Sequence, residues 1–300
     1  MKRRDFIFNS GLSVIAVSSS GFIHFDGQKF IGDCETTTDI LGPFYRPDSP
    51  VRSSLVFPGA KGTPVELSGK IRHTDCVTPY VNAKVELWHC DSEGQYDNST
   101  QEFRYRGTVF TDDKGNYKFN TMMPVPYGGV GFIRPAHFHL MVTAKGYMPL
   151  VTQLYFEGDE HIKDDPASSA ATSKSRILKV QKLKSGSQKI VYNVSMTTNL
   201  VPESASLDKL TGTYTDISDA NKKMEIFKKD NTLWIKNEVF GEGYKYIGEN
   251  SFESPGMPDG SYEKLSFVLK PEGVIQMTIE SKWGNKRSPI SIFLKDKSAT

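Results

Sequence analysis

From Val65 onward, apolar residues recur at every second position in short runs, and clusters of turn-forming residues separate the runs. Val65, Leu67, Gly69 and Ile71 open the series. A period of two sends successive side chains to opposite faces, so these runs read as half-buried strands and not as helical stripes. Further strands are expected at 83–89, 104–111, 116–121, 137–144 and 152–156, with Asp-Lys-Gly and Lys-Gly turns between several of them. Residues 190–197 add a closing strand, and the polar stretch 164–175 reads as a loop. Short strands at this spacing predict a mainly β chain whose first folded unit, 28–200, is an antiparallel β-sandwich. Its first part, 28–60, is an irregular arm that carries Pro43, Pro47, Pro50 and Pro58.

The composition shifts to a linker at Val201-Pro202-Glu203-Ser204. Beyond it, alternating segments at 212–214, 223–228, 232–236, 244–247, 264–269, 274–280 and 290–294 predict a small β-rich accessory domain over 205–300, a curved sheet or barrel. It holds no His and no Cys. Its removal is therefore expected to leave the chemistry of the first unit intact.

That chemistry centres on Ile133-Arg134-Pro135-Ala136-His137-Phe138-His139, which runs on into Leu140, Met141 and Val142. On a strand, residues i and i+2 share a face, so His137 and His139 present two imidazoles to one space, a ready metal chelate. A metal needs more donors. Cysteine supplies few, since Cys34, Cys76 and Cys90 form no CxxC pair. Tyrosine is the distinctive option. Tyr127 lies in a loop stiffened by Pro124 and Pro126, and Tyr96 follows the strand 83–90. Two phenolates with two imidazoles make a hard, anionic donor set that favours Fe(III) over Zn(II). Spacing alone does not bring the four together.

An ordered series of segments resembles the intradiol ring-cleavage dioxygenases, non-haem Fe(III) enzymes that open catechols between their two hydroxyl groups. The series is Leu41-Gly42-Pro43-Phe44-Tyr45, Val85-Glu86-Leu87-Trp88-His89, Gly94-Gln95-Tyr96, the Thr111–Phe119 turn and strand, Pro126-Tyr127, Arg134-Pro135-Ala136-His137-Phe138-His139, and Thr152-Gln153-Leu154-Tyr155-Phe156-Glu157-Gly158-Asp159. The resemblance covers about residues 36–162. It implies that Tyr96, Tyr127, His137 and His139 are the iron ligands, with Tyr127 and His137 axial. It implies that Tyr127, Arg134 and Gln153 act in catalysis, and that Arg134, Gln153 and Tyr45 face the substrate. The expected partners are an aromatic diol and O2, and the expected product is a muconate-type dicarboxylate. The short loop before the histidines is similar to the protocatechuate type, but Gly129 stands where that type carries a tryptophan. That departure leaves recognition of a substrate carboxylate an open question. Catechol, protocatechuate, hydroxyquinol and larger plant-derived diols all remain in view.

The sandwich pattern also occurs in non-enzymatic prealbumin-like modules. A secreted module that binds carbohydrate or protein, without metal, is the competing reading. The two diverge at the four ligand residues, which a binding module has no reason to keep together.

Charge is nearly balanced, 37 Lys and Arg against 35 Asp and Glu, so no nucleic-acid partner is implied. No run reaches the length of a membrane-spanning helix. Met1-Lys2-Arg3-Arg4-Asp5-Phe6-Ile7, followed by a mildly apolar stretch and three serines, resembles a twin-arginine export signal over 1–27. Export to the periplasm or beyond permits disulfides, and Cys34 with Cys76 is the expected pair, while Cys90 reads as a buried thiol. Neither a monomer nor a homo-oligomer is selected by the sequence.

Overall fold

The computed structural model describes residues 36–197, 202–258 and 260–297, apart from residue 130, together with the backbone of three short strands between residues 16 and 32. Those strands, Ala16–Ser18, Gly21–Phe25 and Phe30–Gly32, pair antiparallel. Arg3 and Arg4 of the expected export signal, and Cys34, lie outside the described residues. Cys76 is disulfide-bonded, and Cys90 is a free buried thiol.

Two five-stranded sheets follow. The first runs Ile177–Leu178, Leu150–Phe156, His137–Thr143, Lys84–Trp88, Arg106–Phe110 in spatial order. The second centres on Pro64–Arg72, which pairs antiparallel with Asn116–Met122 and parallel with Gln188–Val191 and Val194–Ser195. One core cluster joins the two sheets: Leu67, Ile71 and Phe119 from the second pack with Val85, Leu87, Phe138, Leu140 and Leu154 from the first, all at most 1% exposed. The expected strand 190–197 is thus two short strands. Asn193 interrupts it by accepting a hydrogen bond from the Lys70 amide through its side chain, 3.0 Å. These pieces run parallel to their neighbour, so the unit is not wholly antiparallel.

The strand His137–Thr143 departs from the half-buried expectation. Phe138, Leu140 and Val142 face the core between the sheets, and the alternate residues His137, His139 and Met141 are equally buried on the other face. The arm covers that second face. Asp39 donates its backbone amide to the Val151 carbonyl, 2.9 Å, and a Cβ at Gly42 would lie 3.2 Å from His139 Cε1.

A short helix, Ser204–Leu210, leads into the C-terminal part. There, eight strands pair antiparallel in a ring. The order is Gly212–Asp216, Lys223–Lys229, Thr232–Ile235, Glu242–Gly248, Ser251–Glu253, Tyr262–Leu269, Ile275–Trp283, Ser291–Lys295, and the last pairs back to the first. Closure removes exposed strand edges. Tyr214, Leu233, Phe252, Leu265, Met277 and Phe293 fill the interior, and Leu207 and Leu210 of the helix join them. Among the described residues, no helix is long and apolar enough to cross a membrane.

The barrel and the first sheet are not independent. Trp234 of the barrel belongs to one buried cluster with Leu41, Tyr45, Trp88, Met141 and Val151. Gly256, at φ +73°, lies against the arm so closely that a Cβ there would fall 2.0 Å from the Asp39 carbonyl carbon.

Candidate metal centre

The four expected ligands meet. Tyr96 Oη lies 3.4 Å from Tyr127 Oη, Tyr127 Oη lies 3.4 Å from His137 Nε2, and His137 Nε2 lies 3.2 Å from His139 Nε2. Each arrives by a different local device. The histidines come from one strand face. Tyr127 opens the hairpin Tyr127–Gly129/Phe132–Arg134, whose register sets Tyr127 opposite Arg134. Tyr96 follows a turn in which Asp91 Oδ1 accepts from the amides of Glu93 and Gln95. Gly94 in that turn has φ +77°, and a Cβ there would come 2.8 Å from Tyr127 Cβ. Only glycine serves both demands, and this close approach locks the Tyr96 turn against the Tyr127 hairpin.

The two imidazoles are held differently. His137 Nδ1 donates to the Pro135 carbonyl, 2.7 Å, which leaves Nε2 with its lone pair toward the other donors. His139 Nδ1 is buried with no hydrogen-bond partner. Its ring is clamped by stacking on Trp88, centroids 4.9 Å apart and planes 6° from parallel, and by Gly42 on the arm. Register explains the first contact, because His139 sits between Trp88 and Gln153 across the sheet.

Burial, and then the charge of Arg134, push the His137 imidazole down to about 3. Burial, His137 and Arg134 hold His139 well below the usual range. Both rings are therefore neutral lone-pair donors at neutral pH. Burial raises the Tyr127 phenol, and burial with the neighbouring Tyr127 raises Tyr96 well above the usual value. Two phenols so placed give up their protons only to a strong positive charge. Donor atoms 3.2–3.4 Å from their neighbours have the spacing of ligands around one ion about 2 Å from each. The donor set is hard and anionic once deprotonated, and it fits a trivalent iron.

Arg134 is 11% exposed at its side chain. Its Nε donates to Asp165 Oδ1 at 3.0 Å, and its Nη2 donates to Gln153 Oε1 at 2.8 Å. Burial works against its charge, but Tyr155 and Asp165 outweigh burial and keep the guanidinium ionised. Gln153 turns its polar atoms inward. Oε1 accepts from Arg134 and from Tyr155 Oη, and Nε2 donates to the Ile40 carbonyl, 2.7 Å.

The structure corrects the expectation for Tyr45. It does not border the cleft. It is 1% exposed, its hydroxyl donates to Glu86 Oε1, and its ring packs among Trp88, Trp234 and Phe240. The neighbouring residue, Phe44, borders the cleft instead, stacked on Tyr96 with centroids 4.5 Å apart. The cleft, about 690 Å³, opens beside Tyr96 and Tyr127. Trp88, Tyr155 and Asp165 were not singled out from the sequence. The first two were within reach of it, since they fall opposite the two histidines in register. Asp165 lies in an irregular segment without periodicity.

A family model described as Dioxygenase matches residues 40–199. The chain belongs to the intradiol dioxygenase family. Among similar proteins, catechol 1,2-dioxygenase of Candida albicans is 39% identical over 142 residues, which are 40% of this chain and 46% of that protein. Chlorocatechol 1,2-dioxygenase of Rhodococcus opacus is 31% identical over 49% of this chain and 66% of that one. Catechol 1,2-dioxygenase of Acinetobacter radioresistens, a crystal structure, superposes with TM-score 0.50 at 28% identity, over 56% of this chain and 65% of that chain. The chain spans less than two thirds of the length of each of these dioxygenases.

Proposed function

We propose that this intradiol dioxygenase uses Fe(III) held by Tyr96, Tyr127, His137 and His139 to insert both atoms of O2 into a catechol-type diol, giving a muconate-type dicarboxylate. The reading places the centre in a β-sandwich catalytic domain over 28–200, followed by a β-barrel accessory domain over 205–300. The observation that carries it is the convergence of two phenol oxygens and two imidazole nitrogens at 3.2–3.4 Å beside a cleft.

Bound there, a ferric ion supplies Lewis acidity toward the diol oxygens and withdraws electron density from the ring. The protein does the rest. Tyr127 Oη, on the cleft side, accepts one diol proton. The Arg134 guanidinium, across the hairpin from Tyr127, favours the phenolate form of that tyrosine and stabilises the negative charge that builds as aromaticity is lost. Asp165 and Gln153 fix the guanidinium plane, so Gln153 is a positioning residue in this reading. His137 and His139 stay neutral because they are buried.

Iron-replete protein supplied with catechols should consume one O2 per diol, and mass spectrometry after 18O2 should find both labels in an acyclic dicarboxylate. A semialdehyde product, or no uptake with any diol, would contradict the assignment.

We also propose export through the twin-arginine motif. The disulfide at Cys76 suits an oxidising compartment. Replacing Arg3 and Arg4 by lysine should leave the protein in the cytoplasm, and unchanged export would refute the proposal.

A further inference from the structure

The cleft beside Tyr96 and Tyr127 is far larger than a bare catechol requires. A cavity of about 150 Å³ is enough for benzene, and the cleft measures about 690 Å³. Pockets of 300–1,000 Å³ hold drug-sized ligands of several rings. On the hairpin side Gly128 and Gly129 form part of the wall. Apart from its chain neighbours, Gly129 has no described atom within 4 Å of where a side chain would start.

The chemistry of the walls narrows the occupant further. Phe44, Pro126 and Ile133 give apolar surface, and Ile133 is 43% exposed. Among the described residues, the cleft lining includes no Lys, Arg or His. Among the described residues its one charged lining residue is Glu93, itself largely exposed and paired with Lys61 at 3.7 Å, so it offers an anion no attraction. The nearby arginines are held by other groups, and Arg134 is given to the reacting ring in the ring-cleavage reading. Arg134 is paired with Asp165, and Arg106 donates to the Phe44 and Asp97 carbonyls and to Asn98. Among the described lining residues a substrate carboxylate finds no cationic partner.

We infer that the substrates are uncharged catechols carrying a bulky apolar substituent of about the size of a second ring, seated over the Gly128–Gly129 wall against Ile133 and Pro126. The inference rests on the ring-cleavage reading above. Burying a phenyl-sized group against these walls is worth at least tenfold in kcat/KM over bare catechol, the return on about 1.4 kcal/mol of apolar burial.

The test is a kcat/KM series with the iron-loaded full chain on 4-phenylcatechol, 4-tert-butylcatechol, catechol and 3,4-dihydroxybenzoate, with oxygen uptake and diol loss both followed. The expected order places 4-phenylcatechol first and 3,4-dihydroxybenzoate last. Gly129→Phe should lower the ratio of 4-phenylcatechol to catechol at least tenfold, and Glu93→Lys should raise 3,4-dihydroxybenzoate relative to catechol. Preference for bare catechol or for the carboxylate, or a ratio that Gly129→Phe does not move, would overturn this inference and leave ring cleavage standing. Oxygen uptake with none of the four would overturn ring cleavage and this inference with it.

Discussion

At the residue scale, the site is built from buried polar groups whose partners decide their state. Asp165 is 2% exposed at its side chain and exists to aim Arg134. Asp165→Asn removes a charge-assisted bond worth about 1.5–3 kcal/mol. The loss should appear as a fall of about tenfold or more in kcat with little change in KM, because Asp165 does not border the cleft. His89 offers a pH test outside the ligand set. Its nitrogens bond the Cys90 carbonyl and Thr121 Oγ1, and burial pushes it down to about 4. The unfolded chain takes up this proton as pH falls through about 6.5, while the folded chain resists until about 4. Stability is therefore full above about pH 6.5 and declines below it, by up to about 3 kcal/mol at pH 4. Urea midpoints should show a steeper acid decline for the wild type than for His89→Gln. An equal decline would contradict this account.

The shared face of His137 and His139 was legible for a physical reason. A period of two makes His137 and His139 neighbours on one face whatever the rest of the chain does. Tyr45 was misplaced because its surroundings include Trp234 and Phe240, nearly two hundred residues away, and no local pattern announces that contact. Asp165 escaped for a related reason. It sits in turns whose order comes from their own bonds, such as Ser168 N to Asp165 Oδ2 at 3.0 Å, and not from a repeat.

At the element scale, strand existence followed from alternation, but which face met what did not. His137–Thr143 alternates between two buried environments, so its sequence of apolar residues and histidines looks half-exposed and is not. The break at Asn193 depends on a single side chain capturing a strand amide. The contact between barrel and arm is the element-scale feature most open to test. Gly256→Val places a branched side chain at φ +73° against the Asp39 backbone. Strain and clash should cost about 2 kcal/mol or more and lower the melting temperature by several degrees. Gly273→Val, also at positive φ but with open space around it, should cost less.

At the scale of the whole molecule, the barrel acts as a brace. The chain of ring contacts from Trp234 to Tyr45, Trp88 and His139 runs through centroid separations of 5.7, 5.2 and 4.9 Å, the last pair stacked. The separability suggested by a domain without His or Cys does not agree with this packing. Deleting 205–300 would bare Leu41, Met141 and Val151 on the face that carries the ligands. The truncated chain should melt well below the full chain and bind less iron. Trp234→Ala, with a core-truncation cost of about 3–5 kcal/mol, should do the same to a smaller degree. Equal iron content and melting temperature in the truncated chain would show the barrel to be a passenger.

The central claim is that Tyr96, Tyr127, His137 and His139 surround one ferric ion. Visible spectroscopy of the freshly isolated protein, with iron assayed on the same sample, tests it most directly. The account predicts one iron per chain and a phenolate-to-iron band that shifts in both Tyr96→Phe and Tyr127→Phe. Stoichiometric iron in a colourless protein, or a band that neither substitution moves, would contradict it.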